Sequence, residues 1–595
     1  MLKYFYLILI LISNQVLSKN LIIEYTLSTP NPANHIFTVE LEYSGIKENY
    51  IDFKLPVWRP GRYVIFDFSS GIIRFNATGP KSENLKWKKI DKSTWRVITK
   101  SINSIKISYD VYSNEFSLRT RGLDEEHGFI DGTAVFMYCQ KFRSLPLTLT
   151  VNPYNDWHVT TGLENVPGDN FKFSAPDYDY FSDCPIEIGT QEDIEFEVEG
   201  KKHVISISGK PSFSKDTLIN DLSTIIKKEY EFWNTVPYSK YVFFIHCNQE
   251  GGGGTEHINS SVNDITPRVF KNEKSYKGFL RLISHEFFHT WNVKQLRPKG
   301  LTPYDFEKEN YTEELWIAEG STSYYDGLIV LRCGMDSVSN FLNDLCDEID
   351  DERNTPGNNF QSLAESSYDA WVKFWKNSYA VKNEFETSYY GKGADVSLLL
   401  DLEIRQRTRN KYSLDDVFRR MYSEHPLGNG YTNSDFMNTC NDISGTDFKQ
   451  YFVDFVYGVK PLDWEIELSY AGLELIKNDT ASKPPVLGIT LSSSDGRVFI
   501  SGVEGNSSAE DAGFQGGDEI IAVDKSKLSY NEIKMKLDSI KSGDALKFTI
   551  FRVNQMMDLT LYLENKKLTG YSIKKTESPA ALQKSIYESW LGNKW

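Results

Sequence analysis

Apolar and polar positions divide the chain into stretches of different character. From residue 19 to about 195, segments such as LIIEYTLS, HIFTVELEY, SIKISYDVYS and EDIEFEVEG alternate with a period of two, the pattern of half-buried strands. Pro30-Asn31-Pro32 and Arg59-Pro60-Gly61 punctuate them as turns, so this region is predicted all-β, as a sandwich or a large curved sheet. Beyond about residue 200 the pattern changes. A helix is predicted near residues 216–233, then a short apolar strand over 241–247. The stretch 279–292, FLRLISHEFFHTWN, is apolar nearly all round and predicts a buried helix. A second helix is predicted over YTEELWIAEGSTSYYDGLIVLRCG, with Thr312 as its N-cap and Glu313 and Glu314 in a first turn that suits carboxylates. Residues 366–460 read as mainly helical. From about 465, PVLGITLS, RVFISGVEG, DEIIAVD and LKFTIFRV return to strands. Residues 566–595 contain a helix with Leu582, Ile586 and Trp590 on one face.

The buried helix carries the first candidate chemistry. His285, Glu286 and His289 stand in the order H-E-x-x-H. Residues four apart share a helix face, so the two imidazoles project together and can hold one Zn²⁺, with Glu286 placed as general base toward water. Two histidines and a carboxylate in a buried helix are costly unless something satisfies them, and a metal does so; a core helix with two hydrogen-bonded histidines is the plainer alternative. Glu319 follows Leu315-Trp316-Ile317-Ala318 and is predicted buried. It would supply a third ligand and leave the fourth position open, the alternative being a buried glutamate paired with Lys or Arg. His and Glu ligands suit several divalent metals. Ahead of the helix, at a strand end, lies GGGGTEH. Gly252, Gly253 and Gly254 would let a ligand's main chain approach closely, and Glu256 is a candidate partner for a charged amino group. Tyr389-Tyr390-Gly391-Lys392-Gly393 opens another helix, and a tyrosine there is a candidate donor to an oxyanion. His127 and His158 read as structural.

Composition narrows the class. A chain of 595 residues with 40% hydrophobic and 14% aromatic residues is globular with three or more domains. A net charge of −16 without a basic run argues against nucleic acid or anionic membranes as partners. The opening MLKYFYLILILISNQVLSKN reads as a secretory signal peptide over 1–18, cleaved after Ser18. Its apolar run is too short to span a bilayer comfortably, and no later stretch is long enough. The expectation is a soluble secreted, lysosomal or otherwise lumenal protein. None of the six cysteines forms a C-x-x-C pair, which argues against a cysteine zinc site. In an oxidising compartment the expected disulfides are Cys139–Cys184 and Cys333–Cys346. Asn76, Asn259, Asn310, Asn478 and Asn506 begin N-x-[ST] and are candidate glycan acceptors, Asn259 being very near the candidate site.

HEFFHTWNVKQLRP followed by LWIAEGSTSYY resembles the glycyl aminopeptidase family of gluzincin metallopeptidases, and GGGGTEH before it and YYGKG after it look like further motifs of that family in the family's order. Residues 485–565 resemble a PDZ domain. The resemblance implies a multidomain fold: an N-terminal all-β domain (19–195), a thermolysin-like α+β and α-helical catalytic domain (196–464), a PDZ-like β domain (465–565) and a C-terminal helical tail (566–595). It also implies His285, His289 and Glu319 as zinc ligands, Glu286 as general base and Glu256 as the glutamate that recognises a free N-terminal amine. Tyr390 matches the transition-state stabiliser, with Tyr389 beside it leaving the assignment open by one residue, and His257 lies in the same wall. The expected activity is a Zn²⁺-dependent aminopeptidase that takes peptides with a free N-terminus and prefers Gly and Ala there. Two other classes stay open: an endopeptidase with the same zinc chemistry, and a non-catalytic protein binding C-terminal peptides through the PDZ-like domain. The probable carboxylate loop of that domain, Pro485-Val486-Leu487-Gly488-Ile489, has only one glycine.

Overall fold

The strand Lys240–Cys247 shows why the central layer forms where it does. Tyr241 to Ile245 are buried without a break, as a strand covered on both faces requires. It pairs in parallel with Lys201–Ser208 on one side and Ser260–Ile265 on the other. Antiparallel edge strands Glu192–Val198 and Gly254–His257 complete a five-stranded sheet. Tyr241 and Phe243 meet Phe287 of the helix Glu273–Phe288 at ring-centroid distances of 4.9 and 5.6 Å. Val242 and Phe244 turn to the opposite face and pack with Val204, Val262, Leu118 and Phe129. Leu118 and Phe129 come from the preceding all-β region, so the sheet is sandwiched between that region and the helices.

The computed structural model describes residues 21–248, 251–373, 385–479, 488–505, 507–541, 543–562 and 569–595. The expected signal peptide, Asn506 and residues 485–487 of the carboxylate loop lie outside them. Two compact units divide the chain, Met1–Asn310 with Tyr422–Gly430, and Tyr311–Met421 with Tyr431–Trp595. In the first, alternation becomes strands as predicted: Ile36–Ser44 is buried at every second position and lies between Ile22–Ser28 and Ser104–Tyr112 in a seven-stranded sheet. A five-stranded sheet and a three-stranded sheet complete the β region.

The second unit is helical, then β-rich. Ser321–Arg332, Val338–Asn354, Gly391–Arg407 and Asn433–Ser444 are its longer helices, and five antiparallel strands from Ile489 to Tyr562 close a small core of Ile500, Phe514, Val523, Phe548 and Ile550. Leu473–Asp479 pairs with Thr569–Lys575 at the two ends of this β module. The final helix, Ala581–Leu591, buries Ile586 and Trp590, and the Trp590 indole donates to the Tyr324 hydroxyl at 3.1 Å. Among the described residues no helix is long and apolar enough to cross a membrane.

Three expectations are corrected. Thr312 does not cap a helix: residues 311–314 are non-helical, Thr312 donates to Glu314, and Glu314 accepts the Asn433 backbone N–H at 3.1 Å. None of the six cysteines is bonded to another. The Cys184 thiol instead contacts Asn259 at 3.4 Å, while Cys139 precedes a short 3-10 turn. Cys333 ends one helix, and Cys346 faces the backbone of Ile573 from the middle of the next. Asn259 and Asn310 are buried with their amides engaged, Asn259 to the Gly162 carbonyl at 2.7 Å and Asn310 to the Asp305 carbonyl at 2.8 Å, which leaves no room for a glycan at either.

His127 has titratable neighbours. The buried Glu187 carboxylate lies between His246 Nε2 at 3.0 Å and His127 Nε2 at 3.6 Å, and Asp264 sits 3.4 Å from His246 Nδ1. Burial opposes the charged imidazole, but Glu187 and Asp264 outweigh it and raise the His246 pKa to about 10. An unfolded histidine titrates near ~6.5. The stabilisation is therefore complete below that value and is lost as pH rises through the folded pKa. At ~1.4 kcal/mol per pKa unit, the stability against denaturant is expected to fall by about 5 kcal/mol between roughly pH 6.5 and 10 from this group. A His246→Gln variant should lack that component, and an alkaline profile identical to the parent's would refute the assignment.

Candidate metal centre and active site

Local sequence builds the His-bearing helix. Asn272 caps it by accepting the Ser275 N–H at 3.1 Å, Glu273 suits its first turn, and Phe279, Leu280, Ile283, Phe287 and Phe288 bury it. It ends at Phe288, and His289 follows as the C-cap. His285 Nε2 and His289 Nε2 converge to 3.1 Å. The His289 Nδ1–H donates to the Asn292 carbonyl at 2.8 Å, which fixes the tautomer and leaves the Nε2 lone pair facing outward. Two imidazole nitrogens aimed at one point, one of them anchored from behind, are the donor set a borderline cation such as Zn²⁺ takes.

Glu256, Glu286 and His289 are all buried, and one ligating atom from each lies within 4.8 Å of the others. Glu256 stands on the edge strand Gly254–His257, whose outer side pairs with no other strand of the described residues. The glycines before it differ from one another. A Cβ on Gly254 would lie 2.4 Å from Glu286 Oε1, and one on Gly251 would lie 2.3 Å from the Ile265 backbone. Gly252 and Gly253 face open space, Gly253 at φ +95°.

A charged network that motif reading did not find lies behind the edge strand. Arg59 pairs with Asp131 at 2.8 Å, both side chains being 1% exposed, and it donates to Thr255 and approaches His257 Nε2 at 3.5 Å. His257 Nδ1 meets Asp183 at 3.1 Å, and Asp183 accepts from buried Lys294 at 3.0 Å. Burial alone would raise the Asp183 pKa, but Lys294 and His257 hold it down at about 2. The same network borders a cavity of about 530 Å³ lined by Asp131, Asp183, His257, Arg297 and Tyr304. Gly61 belongs to this arrangement, since a Cβ there would sit 2.6 Å from Glu256 Oε2. In sequence the Arg59-Pro60-Gly61 stretch signals only a turn.

In the second unit, Glu319 is buried within the π-helical turn Trp316–Gly320, a distortion found often at functional sites. Gly320 and Gly393 bring two backbones into contact: a Cβ on Gly320 would lie 2.6 Å from Gly393 Cα and 2.5 Å from the Tyr389 carbonyl. Tyr389 is fully buried, whereas Tyr390, which starts the helix Gly391–Arg407, is half-buried, with ring centroids 4.9 Å apart.

Residues 24–190 match the Peptidase M61 N-terminal domain and residues 278–396 match the M61 glycyl aminopeptidase model. A crystal structure of an aminopeptidase N family protein from Idiomarina loihiensis superposes with a TM-score of 0.87 at 28% identity, over 96% of this chain and 100% of that one. The chain thus carries matches to both M61 models, the N-terminal domain and the glycyl aminopeptidase. It is a zinc metallo-aminopeptidase, and Zn²⁺ is its cofactor. Residues 485–563 match a PDZ domain. An M1 zinc metallopeptidase from Deinococcus radiodurans is similar at 12% identity and a TM-score of 0.47, over 75% of this chain and 95% of that one. No curated protein sequence matches.

Proposed function

We propose that the chain removes the first residue from peptides with a free amino terminus, with glycine and alanine preferred. The observation that carries this reading is the buried pair of carboxylates. Glu256 and Glu286 present oxygens within 4.8 Å of each other and of a His289 ring nitrogen. One residue of extended chain advances about 3.3 Å, so an ammonium held at Glu256 puts the first peptide bond, and no later one, beside Glu286. In this reading His285, His289 and Glu319 hold the zinc. When bound, the ion supplies Lewis acidity and lowers the pKa of water. Glu286 takes the proton from the attacking water and returns it to the leaving amine. The half-buried Tyr390 donates its hydroxyl to the developing oxyanion. The substrate backbone lies along the edge strand Gly254–His257 as an added strand, with Gly252 and Gly253 leaving that approach open.

The deciding experiment compares free and N-acetylated glycyl and alanyl peptides. Acetylation is expected to abolish cleavage, and equal cleavage of both forms would make this an endopeptidase. Gly61→Ala adds a Cβ against the Glu256 carboxylate at a backbone φ of +83°. It is expected to raise KM for free peptides by about tenfold with zinc content unchanged, since uniform binding is what it disturbs. An unaltered KM would remove Glu256 from amine recognition. We also propose secretion with cleavage after Ser18, which N-terminal sequencing of the native protein tests, and C-terminal peptide binding at the PDZ domain, which titration of the full chain tests.

A further inference from the structure

The chain-wide charge of −16 conceals a local reversal. Residues 86–100 hold Lys86, Lys88, Lys89, Lys92, Arg96 and Lys100 against a single acid, Asp91. The fold turns this run into a surface. Trp87–Asp91 is the edge strand of the three-stranded sheet, and all five of its residues are exposed. Its neighbour Thr94–Ile98 turns Trp95 and Val97 inward, and the third strand, Tyr50–Lys54, does the same with Ile51 and Phe53. The register sets Lys88 opposite Arg96 and Tyr50 opposite Ile98. Tyr50 is 48% exposed, Ile90 40% and Ile98 39%, whereas Trp87 turns to the inner face with Val97 and its ring packs on Phe75 at 4.8 Å.

Some of this charge is already matched. Arg96 is held by Asp52 at 2.7 and 2.8 Å and stacks on Tyr50, and Lys92 pairs with Asp67. Lys89 lies over the Trp95 ring. Lys86, Lys88 and Lys100 are exposed and form no ion pair among the described residues. Lysines on an edge strand have an ordinary use, which is to prevent pairing with another sheet. That use does not explain three large apolar side chains displayed among them, Tyr50, Ile90 and Ile98, because exposed apolar groups on a sheet edge work against it.

We propose that this three-stranded sheet docks on an anionic lipid bilayer. Lys86, Lys88 and Lys100 meet headgroup phosphates, while Tyr50, Ile90 and Ile98 enter the boundary between headgroups and acyl chains, where aromatic and basic residues belong. A hydrated polyanion such as a sulfated polysaccharide would engage the lysines and leave the apolar residues without a role.

The test uses the full chain and co-sedimentation with vesicles of phosphatidylcholine alone or with about 30% phosphatidylserine. Binding is expected only to the anionic vesicles and should weaken with salt. The triple variant Lys86→Gln, Lys88→Gln, Lys100→Gln is expected to bind about a hundredfold more weakly, at about fivefold per lysine. The double variant Ile90→Ser, Ile98→Ser should lose about tenfold on vesicles while its retention on immobilised heparin is unchanged. Cleavage of a soluble peptide, unchanged in both, reports that each variant is folded. Equal binding to neutral vesicles, no binding to either kind, or a serine variant that binds vesicles like the parent overturns the proposal.

Discussion

Glu286→Gln is expected to lower kcat by about three to four orders of magnitude while zinc content stays that of the parent. The amide keeps the volume of the carboxylate, and Glu286 is outside the proposed ligand set, so neither the helix nor the metal is disturbed. What is lost is a group able to take a proton and hand it on. Because Glu286 is buried near Glu256 and His289, no solvent-borne base replaces it easily. The measurement pairs steady-state kinetics on an alanyl peptide with elemental analysis of the purified variant. A kcat within tenfold of the parent would remove Glu286 from proton transfer. Equal loss of zinc and of turnover would instead make it a ligand.

Gly254→Ala is expected to cost about two to three orders of magnitude in kcat, again with zinc retained. The backbone there does not adopt a positive φ, so alanine meets no torsional barrier. The obstacle is the Glu286 carboxylate, 2.4 Å from the added methyl carbon. The strand cannot easily retreat, since Gly254 pairs with Asn263 and its carbonyl accepts from Arg119 at 3.1 Å. The carboxylate therefore moves, and displacing a catalytic group by about 1 Å costs on the order of a hundredfold. Gly252→Ala is the comparison: no protein atom lies within 4 Å of its Cβ, so Glu286 is undisturbed and kcat near the parent's is expected, with any change falling on KM through the substrate's approach. If the two alanine variants behave alike, the glycine run serves backbone freedom alone.

These two glycines mark where sequence reading stops. Four consecutive glycines indicate close approach of something, but only the folded chain separates Gly251, pressed on Ile265, and Gly254, pressed on Glu286, from two that face open space. The Thr312 cap failed for a related reason. A threonine before two glutamates satisfies the local pattern of a helix start, yet the Asn433 backbone, far along the chain, offered Glu314 a better partner. The disulfide expectation rested on compartment and pairing alone, and the four cysteines involved have other neighbours.

What the sequence by itself determined is what depends on neighbours a few residues apart. The four-residue step between His285 and His289, the buried face of their helix and the alternation of Ile36–Ser44 follow from helix and strand periodicity acting over one or two turns or pleats. The chemistry of H-E-x-x-H is legible for the same reason. Only the tertiary structure decided what surrounds Glu256: Gly61 against its carboxylate, and the chain of charges from Asp131 through Arg59 to His257, Asp183 and Lys294. It alone also gathered Lys88, Arg96, Tyr50 and Ile98 on one sheet. Apart from the hairpin pair Lys88 and Arg96, each of those contacts joins segments distant in the chain, and it is set by how sheets and helices pack, a choice that no local period records.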